Sequence, residues 1–493
     1  MNEPVFTVHP NSAVFCVGIK GTGISALAEL LLNAGVKVTG SDTGDVFYTD
    51  AILKELGVPY FETFDAAHIH DGIDFVVYSA AYSPETHPEL VEASRRGIPL
   101  FKYADALGAY SANFDSSGIA GVHGKTTTTA LAGSLLKGAR LPAQILAGSA
   151  VSAFNGHSTL SLGNRHFVAE TCEYRRHFLS FHPRRIALTS VESDHQDYYP
   201  TYESIRDAFV EYGRKLPAGG EVIYCADDKG ACEVAETLRK EQRGLVFTPY
   251  GFTARGDFRI KNFSVENERL VFELNAFAEP FTMRVPGRHN ALNATAALAL
   301  VSSIARAETR ATGGDDCGAG SMTIAQLEGA RRGLEDFRGS KRRSEIIGEK
   351  NGVLFMDDYA HHPTAIKTTI EGLKAFYPNR RLIVSFMPHT YTRTAALLDE
   401  FATAFTGADA LLLHKIYASA RETYSGGVTG KTLFEKVAKI KKANSVYAGD
   451  ILYVEEPLDA IPFIKPMLKA GDLFLTMGAG DNWKLGEALL KEI

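Results

Sequence analysis

Short runs of apolar or β-branched residues recur along this chain, separated by helix-length amphipathic segments. The predicted strands include Ala13–Val17, Phe75–Ser79, Arg185–Val191, Val353–Asp357, Arg381–Phe386, Ala410–His414 and Asp472–Met477. Many are followed by Gly, Asp or His and then by a helical pattern. This alternation marks parallel strands joined by crossover helices, so the fold class is α/β. Ligands of such sheets sit beyond the C-terminal strand ends, and residues there carry the functional argument.

A chain of 493 residues has room for two to four domains. Three blocks are expected, at 1–113, 114–337 and 338–493. The second contains a β-rich stretch, from Leu245 to Pro286, before a helix-like run from Asn290 to Arg306. The segment Thr312-Gly-Gly-Asp-Asp-Cys-Gly-Ala-Gly-Ser321 reads as a mobile surface insert. Net charge is −6, which gives no reason to expect a nucleic acid or an anionic membrane as partner. No apolar run is long enough to span a bilayer, and the N-terminus lacks the pattern of a signal peptide. The cysteines (Cys16, Cys172, Cys225, Cys232 and Cys317) form no Cys-x-x-Cys pair. They are expected to be reduced thiols in a cytoplasmic protein.

The segment Gly118-Ile-Ala-Gly-Val-His-Gly-Lys-Thr-Thr-Thr-Thr129 follows a turn-like run, Asn113–Ser117, and leads into a helical pattern from Ala130 to Leu136. Glycines let backbone N–H groups face phosphate oxygens, and a helix N-terminus adds partial positive charge. Lys125 can then bridge the outer phosphates, and the Thr126 hydroxyl can ligate Mg²⁺. The standard phosphate loop needs Gly at 119, where Ile119 stands; the loop is the shorter Gly121-x-x-Gly124-Lys125-Thr126.

Other strand ends carry polar clusters. Gly18, Gly21 and Gly23 form a turn that can cradle a diphosphate, although Lys20 breaks the dinucleotide spacing. Asp42 follows the next strand, where an acidic residue often meets a sugar hydroxyl or a base. Glu170 and His195 are leading metal ligands beside the phosphate loop. Asn290 either pairs with a base edge or N-caps the following helix. Arg342 and Arg343 lie in a basic run at a domain junction, placed to reach phosphate on closure. Tyr391 and Arg393, with His389 nearby, suit a small carboxylate.

The order of these blocks resembles the Mur ligases of bacterial cell-wall synthesis over nearly the whole length. Family members carry Gly-x-Gly-Gly-x-Gly-Met; here it is Gly18-Ile-Lys-Gly-Thr-Gly-Ile24. They carry Thr-Gly-Thr-His-Gly-Lys-Thr-Thr; here it is Ala120-Gly-Val-His-Gly-Lys-Thr-Thr127. The alanine-adding branch also has Gly-Arg-His-Asn, Asp-Asp-Tyr-(Ala/Gly)-His-His-Pro and Pro-His-Arg-Tyr-Thr-Arg-Thr. Their counterparts begin at Gly287, Asp357 and Pro388.

The resemblance implies a three-domain architecture: a Rossmann-like N-terminal domain, a P-loop ATPase-like central domain and a Rossmann-like C-terminal domain. It implies UDP-sugar binding by Gly18, Gly21, Thr22, Gly23, Asp42 and Ser79. ATP would meet Gly121, His123, Gly124, Lys125, Thr126, Thr127, His289, Asn290, Arg342, Arg343 and Asp358. Thr126, Glu170 and His195 would hold Mg²⁺, and Tyr359, His389 and Arg393 the amino acid. Lys125, His195, His361 and Arg393 would be catalytic. The implied reaction joins L-alanine to the lactyl carboxylate of UDP-N-acetylmuramate through an acyl phosphate, in a monomeric or homodimeric bacterial enzyme. The alternatives are a recycling ligase that attaches a tripeptide, or a nucleotide-binding homologue with altered amino-acid specificity. Ala120 and Val122 replace threonines of the family loop, Thr390 replaces an Arg, and Phe209 stands where later Mur ligases carry a carbamylated lysine.

Overall fold

The computed structural model describes residues 6–241, 244–313, 322–418, 427–444 and 449–493. Most of the expected surface insert, with Cys317, lies outside the described residues. Two compact units emerge. The first comprises Met1–Glu192, Ile205–Arg259 and Thr295–Gly333; the second comprises Ser193–Ser204, Ile260–Ala294 and Leu334–Ile493.

The first unit contains a five-stranded parallel sheet. Its order is Tyr60–Phe61, Lys37–Ser41, Ala13–Val17, Phe75–Tyr78 and Leu100–Lys102. The alternate residues Phe15 and Val17 pack with Val76, Tyr78, Leu90 and Ala93 on one face. The unit also holds the strands Val246–Gly251, Glu221–Cys225, Arg185–Leu188, Asp115–Ala120, His166–Glu170 and Ala143–Leu146, in that order and parallel. Thr159–Ser161 closes that edge antiparallel. The helix Lys125–Ala139 is buried along most of its length. A Cβ on Gly138 would lie 2.0 Å from the Gly329 carbonyl oxygen, so the helix Ile324–Glu335 approaches backbone to backbone.

The run Asn113–Ser117 departs from its turn-like reading: its last three residues begin the strand Asp115–Ala120. The Asp115 and Ser116 side chains are satisfied by partners outside the run. Arg185 grips Asp115 through two hydrogen bonds of 2.9 and 3.0 Å, and the Ser116 hydroxyl donates to the Ser111 carbonyl. Burial opposes ionisation of Asp115, but His166 and Arg185 outweigh it and hold the carboxyl well below the usual range.

The second unit carries a six-stranded sheet. Its order is Glu345–Lys350, Val353–Asp358, Asp472–Met477, Arg381–Phe386, Ala410–Leu413 and Ile451–Tyr453. Only the first pair is antiparallel. The strands Phe258–Glu266, Arg269–Leu274 and Phe281–Met283 pair antiparallel. Ala13–Val17, Arg381–Phe386 and Asp472–Met477 form with the predicted bounds; the other predicted strands shift at their C-terminal ends. Arg185–Leu188 stops early because Thr189 and Ser190 leave the ladder to brace the phosphate loop.

Candidate active site

The phosphate loop is the four-residue link between the buried strand Asp115–Ala120 and the helix that starts at Lys125. Ile119 is fully buried within the strand, which is why the loop is short at that end. Gly121 has φ +141° and Gly124 φ +82°, conformations that L side chains rarely adopt. A Cβ on Gly121 would also lie 2.1 Å from Thr189 Oγ1. The neighbouring strand end braces the loop: Thr189 Oγ1 donates to the His123 carbonyl at 2.5 Å, and the His123 N–H donates to Ser190 Oγ at 2.9 Å. Ala120 and Val122 are both buried.

Lys125 Nζ lies 2.9 Å from a Glu173 carboxylate oxygen and donates to the Gly121 carbonyl at 2.5 Å. Burial alone would lower the Lys125 pKa, but Glu173 outweighs it and raises the value. The loop therefore presents a fixed positive charge at a helix N-terminus. Thr126 and Thr127 are buried in the first helical turn. Glu170 ends the strand His166–Glu170, and one of its oxygens accepts the Gly148 N–H at 2.8 Å. Phe209 is buried and packs edge-on against Phe178 at 5.3 Å.

The other Gly-rich turn links Ala13–Val17 to the helix Thr22–Asn33. Gly18 has φ +82°, and a Cβ there would meet Tyr82 at 2.9 Å and Ser79 at 3.1 Å. The Gly18 and Ile19 N–H groups donate to the Ser41 carbonyl. Asp42, expected at a sugar hydroxyl or base, is buried and accepts the N–H groups of Lys20 (2.7 Å) and Thr43 (2.8 Å). It stabilises the turn itself. Lys20 buries its ammonium against Glu62 at 2.9 Å and Asp50 at 3.2 Å. It does not have positive φ, so no glycine is needed at that point.

In the second unit, Arg393 is buried and donates through Nη2 to Asp194 Oδ1 at 2.7 Å. Burial works against the Asp194 charge, but Arg393, then His195 and His361, hold its carboxyl far below the usual range. The His361 ring lies 5.9 Å from that of His389, and its Nδ1 is 2.8 Å from the Tyr359 carbonyl. Burial, reinforced by Arg393, drives the His361 pKa well down, so the imidazole is neutral at physiological pH. His195 has φ +53°, and its N–H donates to Asp194 at 2.7 Å. Thr390 has φ +66° and caps the helix Tyr391–Ala396, accepting the Arg393 N–H. Asp194, Arg393, His361 and His389 thus form one cluster, whereas Glu170 belongs to the other unit.

The Arg342 guanidinium donates to Asp357 (2.8 Å) and to the Gly478 (2.6 Å) and Ala479 (3.3 Å) carbonyls. Both guanidiniums lie over the Tyr359 ring, Arg342 at 5.2 Å and Arg343 at 4.8 Å from its centroid. One expectation is corrected here: Asn290 is not an N-cap. The helix starts at Arg288, and the buried Asn290 amide donates to the Pro286 carbonyl and accepts from Asn293. His289 follows Gly287, where a Cβ would lie 2.3 Å from the imidazole. Asp358 is buried and accepts from the N–H groups of Ser344 (2.7 Å) and Ala360 (2.8 Å).

Glu173 and Asp194 are site residues that sequence reasoning missed. Both are acidic residues paired with a basic residue far away in sequence, so only the fold reveals the pairing. Their one sequence signal was a position just past a strand end.

Residues 14–115 match the family model described as Mur ligase family, catalytic domain. Residues 119–301 match the Mur ligase middle domain and 342–480 the Mur ligase glutamate ligase domain. A Treponema pallidum protein named UDP-N-acetylmuramate–L-alanine ligase is 51% identical over 97% of this chain and 95% of its own length. A Borrelia garinii protein of the same name is 38% identical over 97% of this chain and 98% of its own. The crystal structure of a Thermotoga maritima UDP-N-acetylmuramate–alanine ligase superposes with a TM-score of 0.73 at 24% identity, covering 97% of this chain and 98% of that one.

Proposed function

The chain belongs to the Mur ligase family, and from that premise we propose that it is an ATP-dependent ligase joining L-alanine to the lactyl carboxylate of UDP-N-acetylmuramate. The observation that carries this reading is the likeness to the Treponema pallidum ligase, which extends over nearly all of both chains. The product is ligated nucleotide sugar, ADP and phosphate, in peptidoglycan precursor synthesis.

In this reading residues 1–113 bind the UDP-sugar, 114–337 bind ATP and 338–493 bring the amino acid. Gly18, Gly21, Thr22 and Gly23 offer a helix N-terminus to the diphosphate, with Asp42 and Ser79 supporting the turn. Gly121, His123, Gly124 and Thr127 cradle ATP, and Lys125 neutralises the γ-phosphate as the lactyl carboxylate attacks it. His289, Arg343 and Asp358 face the remainder of the nucleotide. The resulting acyl phosphate is attacked by the alanine amine. Arg393 fixes the alanine carboxylate beside His389 and Tyr359, and neutral His361 can accept a hydrogen bond from the incoming amine.

The donor set fits Mg²⁺. Thr126 and Glu170 supply hard oxygens, one Glu170 oxygen being held by the Gly148 N–H. They would hold the ion, with His195 as a nitrogen ligand, and the ion would neutralise phosphate charge. Among the described residues no helix is long and apolar enough to cross a membrane. In this reading the enzyme is cytoplasmic and acts as monomer or homodimer.

The test is phosphate release from ATP with UDP-N-acetylmuramate and, in turn, L-alanine, L-serine, glycine or tripeptide. L-alanine should give the highest kcat/KM; turnover with tripeptide alone would overturn the reading.

A further inference from the structure

Tyr103 opens the helix Tyr103–Ser111, directly after the strand Leu100–Lys102. Its ring packs on the first Gly-rich turn. A Cβ on Gly23 would lie 2.8 Å from Tyr103 Cζ and 3.1 Å from the phenolic oxygen. Gly23 has ordinary backbone angles, so glycine is required there by the tyrosine. Tyr103 lines a cavity shared with Thr22, Gly23, Gly148, Glu170 and Cys172.

The hydroxyl makes no hydrogen bond among the described residues, which is unusual for a half-buried tyrosine. Burial, and secondarily Glu170, keeps the phenol protonated, so it is a hydrogen-bond donor at neutral pH. The walls of the cavity explain what it faces. One wall is the helix N-terminus at Thr22, which takes a diphosphate in the ligase reading. The other is Glu170, at the strand end beside the phosphate loop. A nucleotide sugar whose lactyl carboxylate must reach the γ-phosphate spans the two walls, and its sugar crosses Tyr103.

We propose that the Tyr103 hydroxyl donates a hydrogen bond to the muramyl part of the nucleotide sugar and so sets discrimination between UDP-N-acetylmuramate and UDP. This assignment rests on the ligase reading. Tyr103→Phe keeps the ring against Gly23 and removes only the donor. Calorimetry without ATP or alanine should show UDP-N-acetylmuramate binding about five- to tenfold more weakly to the variant. UDP binding, the melting temperature and kcat at saturating sugar should be unchanged. Equal binding of the nucleotide sugar, or an equal loss for UDP, would overturn the assignment. Alanine-dependent phosphate release by the unaltered protein separates the two ideas. Active wild type with an indifferent Tyr103→Phe sinks only the tyrosine's role, whereas wild type that binds no nucleotide sugar sinks both.

Discussion

Glu173 holds Lys125 in the nucleotide-free loop: the carboxylate lies 2.9 Å from the ammonium, and both groups are largely shielded from water. An incoming γ-phosphate offers Lys125 a second anion. Lys125→Ala should therefore lower kcat/KM by about two to three orders of magnitude, the scale for losing a preorganised charge contact. Glu173→Gln strands a buried cation, which costs on the order of 3–5 kcal/mol. ATP should restore part of that stability by supplying the missing negative charge. Thermal melting with and without ATP checks this: the ATP-induced rise should be larger in Glu173→Gln than in wild type. An equal rise would show that Lys125 does not reach the nucleotide.

The Asp194–Arg393 pair makes a pH-dependent contribution. Asp194 has a folded pKa below its unfolded value of about 3.9. Its stabilisation is therefore complete above the unfolded pKa and is lost as pH falls through the folded one. Asp194→Asn should be less stable than wild type at pH 7 by about 3–5 kcal/mol, and the gap should narrow only below about pH 4. Urea melts from pH 7 downward measure it. The same variant should raise KM for L-alanine more than KM for ATP, because Arg393 loses its anchor.

How much of this was legible beforehand depends on where the information lay. Strands such as Arg381–Phe386, buried in a parallel sheet, read as continuous apolar runs, and their bounds follow from local sequence. The glycines of the phosphate loop were visible because positive φ leaves a residue signature. Asp115–Ser117 looked like a turn because Asp115 and Ser116 find their side-chain partners in Arg185 and Ser111, which local pattern cannot supply. The partners of Arg342 were hidden for the same reason: Asp357 and the Gly478 carbonyl are distant in sequence. A charge count locates such residues and says nothing about what has already neutralised them.

His361 has a folded pKa depressed by burial and by Arg393. As pH falls through the unfolded value, about 6.5, the unfolded chain takes up a proton that the folded site refuses, so stability is lost with acidification. In a histidine NMR titration, the His361 imidazole should stay neutral at pH 6. His361→Gln should remove one proton from the uptake on unfolding near that pH and lower kcat more than it raises KM for ATP. A His361 resonance that titrates at its ordinary pKa would contradict the burial argument.

Gly148 supplies a sharper test of Glu170. Its N–H donates to the Glu170 carboxylate, and a Cβ would fall 2.4 Å from that same oxygen. Gly148 does not have positive φ, so its backbone accepts alanine without strain. The damage from Gly148→Ala is therefore confined to the position of Glu170. If Glu170 is a Mg²⁺ ligand, displacing it should raise the Mg²⁺ concentration for half-maximal phosphate release by about ten- to a hundredfold, the range for disturbing a ligand's supporting contact. The nucleotide-free melting temperature should move little, since one exchanged hydrogen bond is worth about 1 kcal/mol. A lowered melting temperature with an unchanged Mg²⁺ requirement would make Glu170 a structural acceptor for the Gly148 amide and remove it from the metal site.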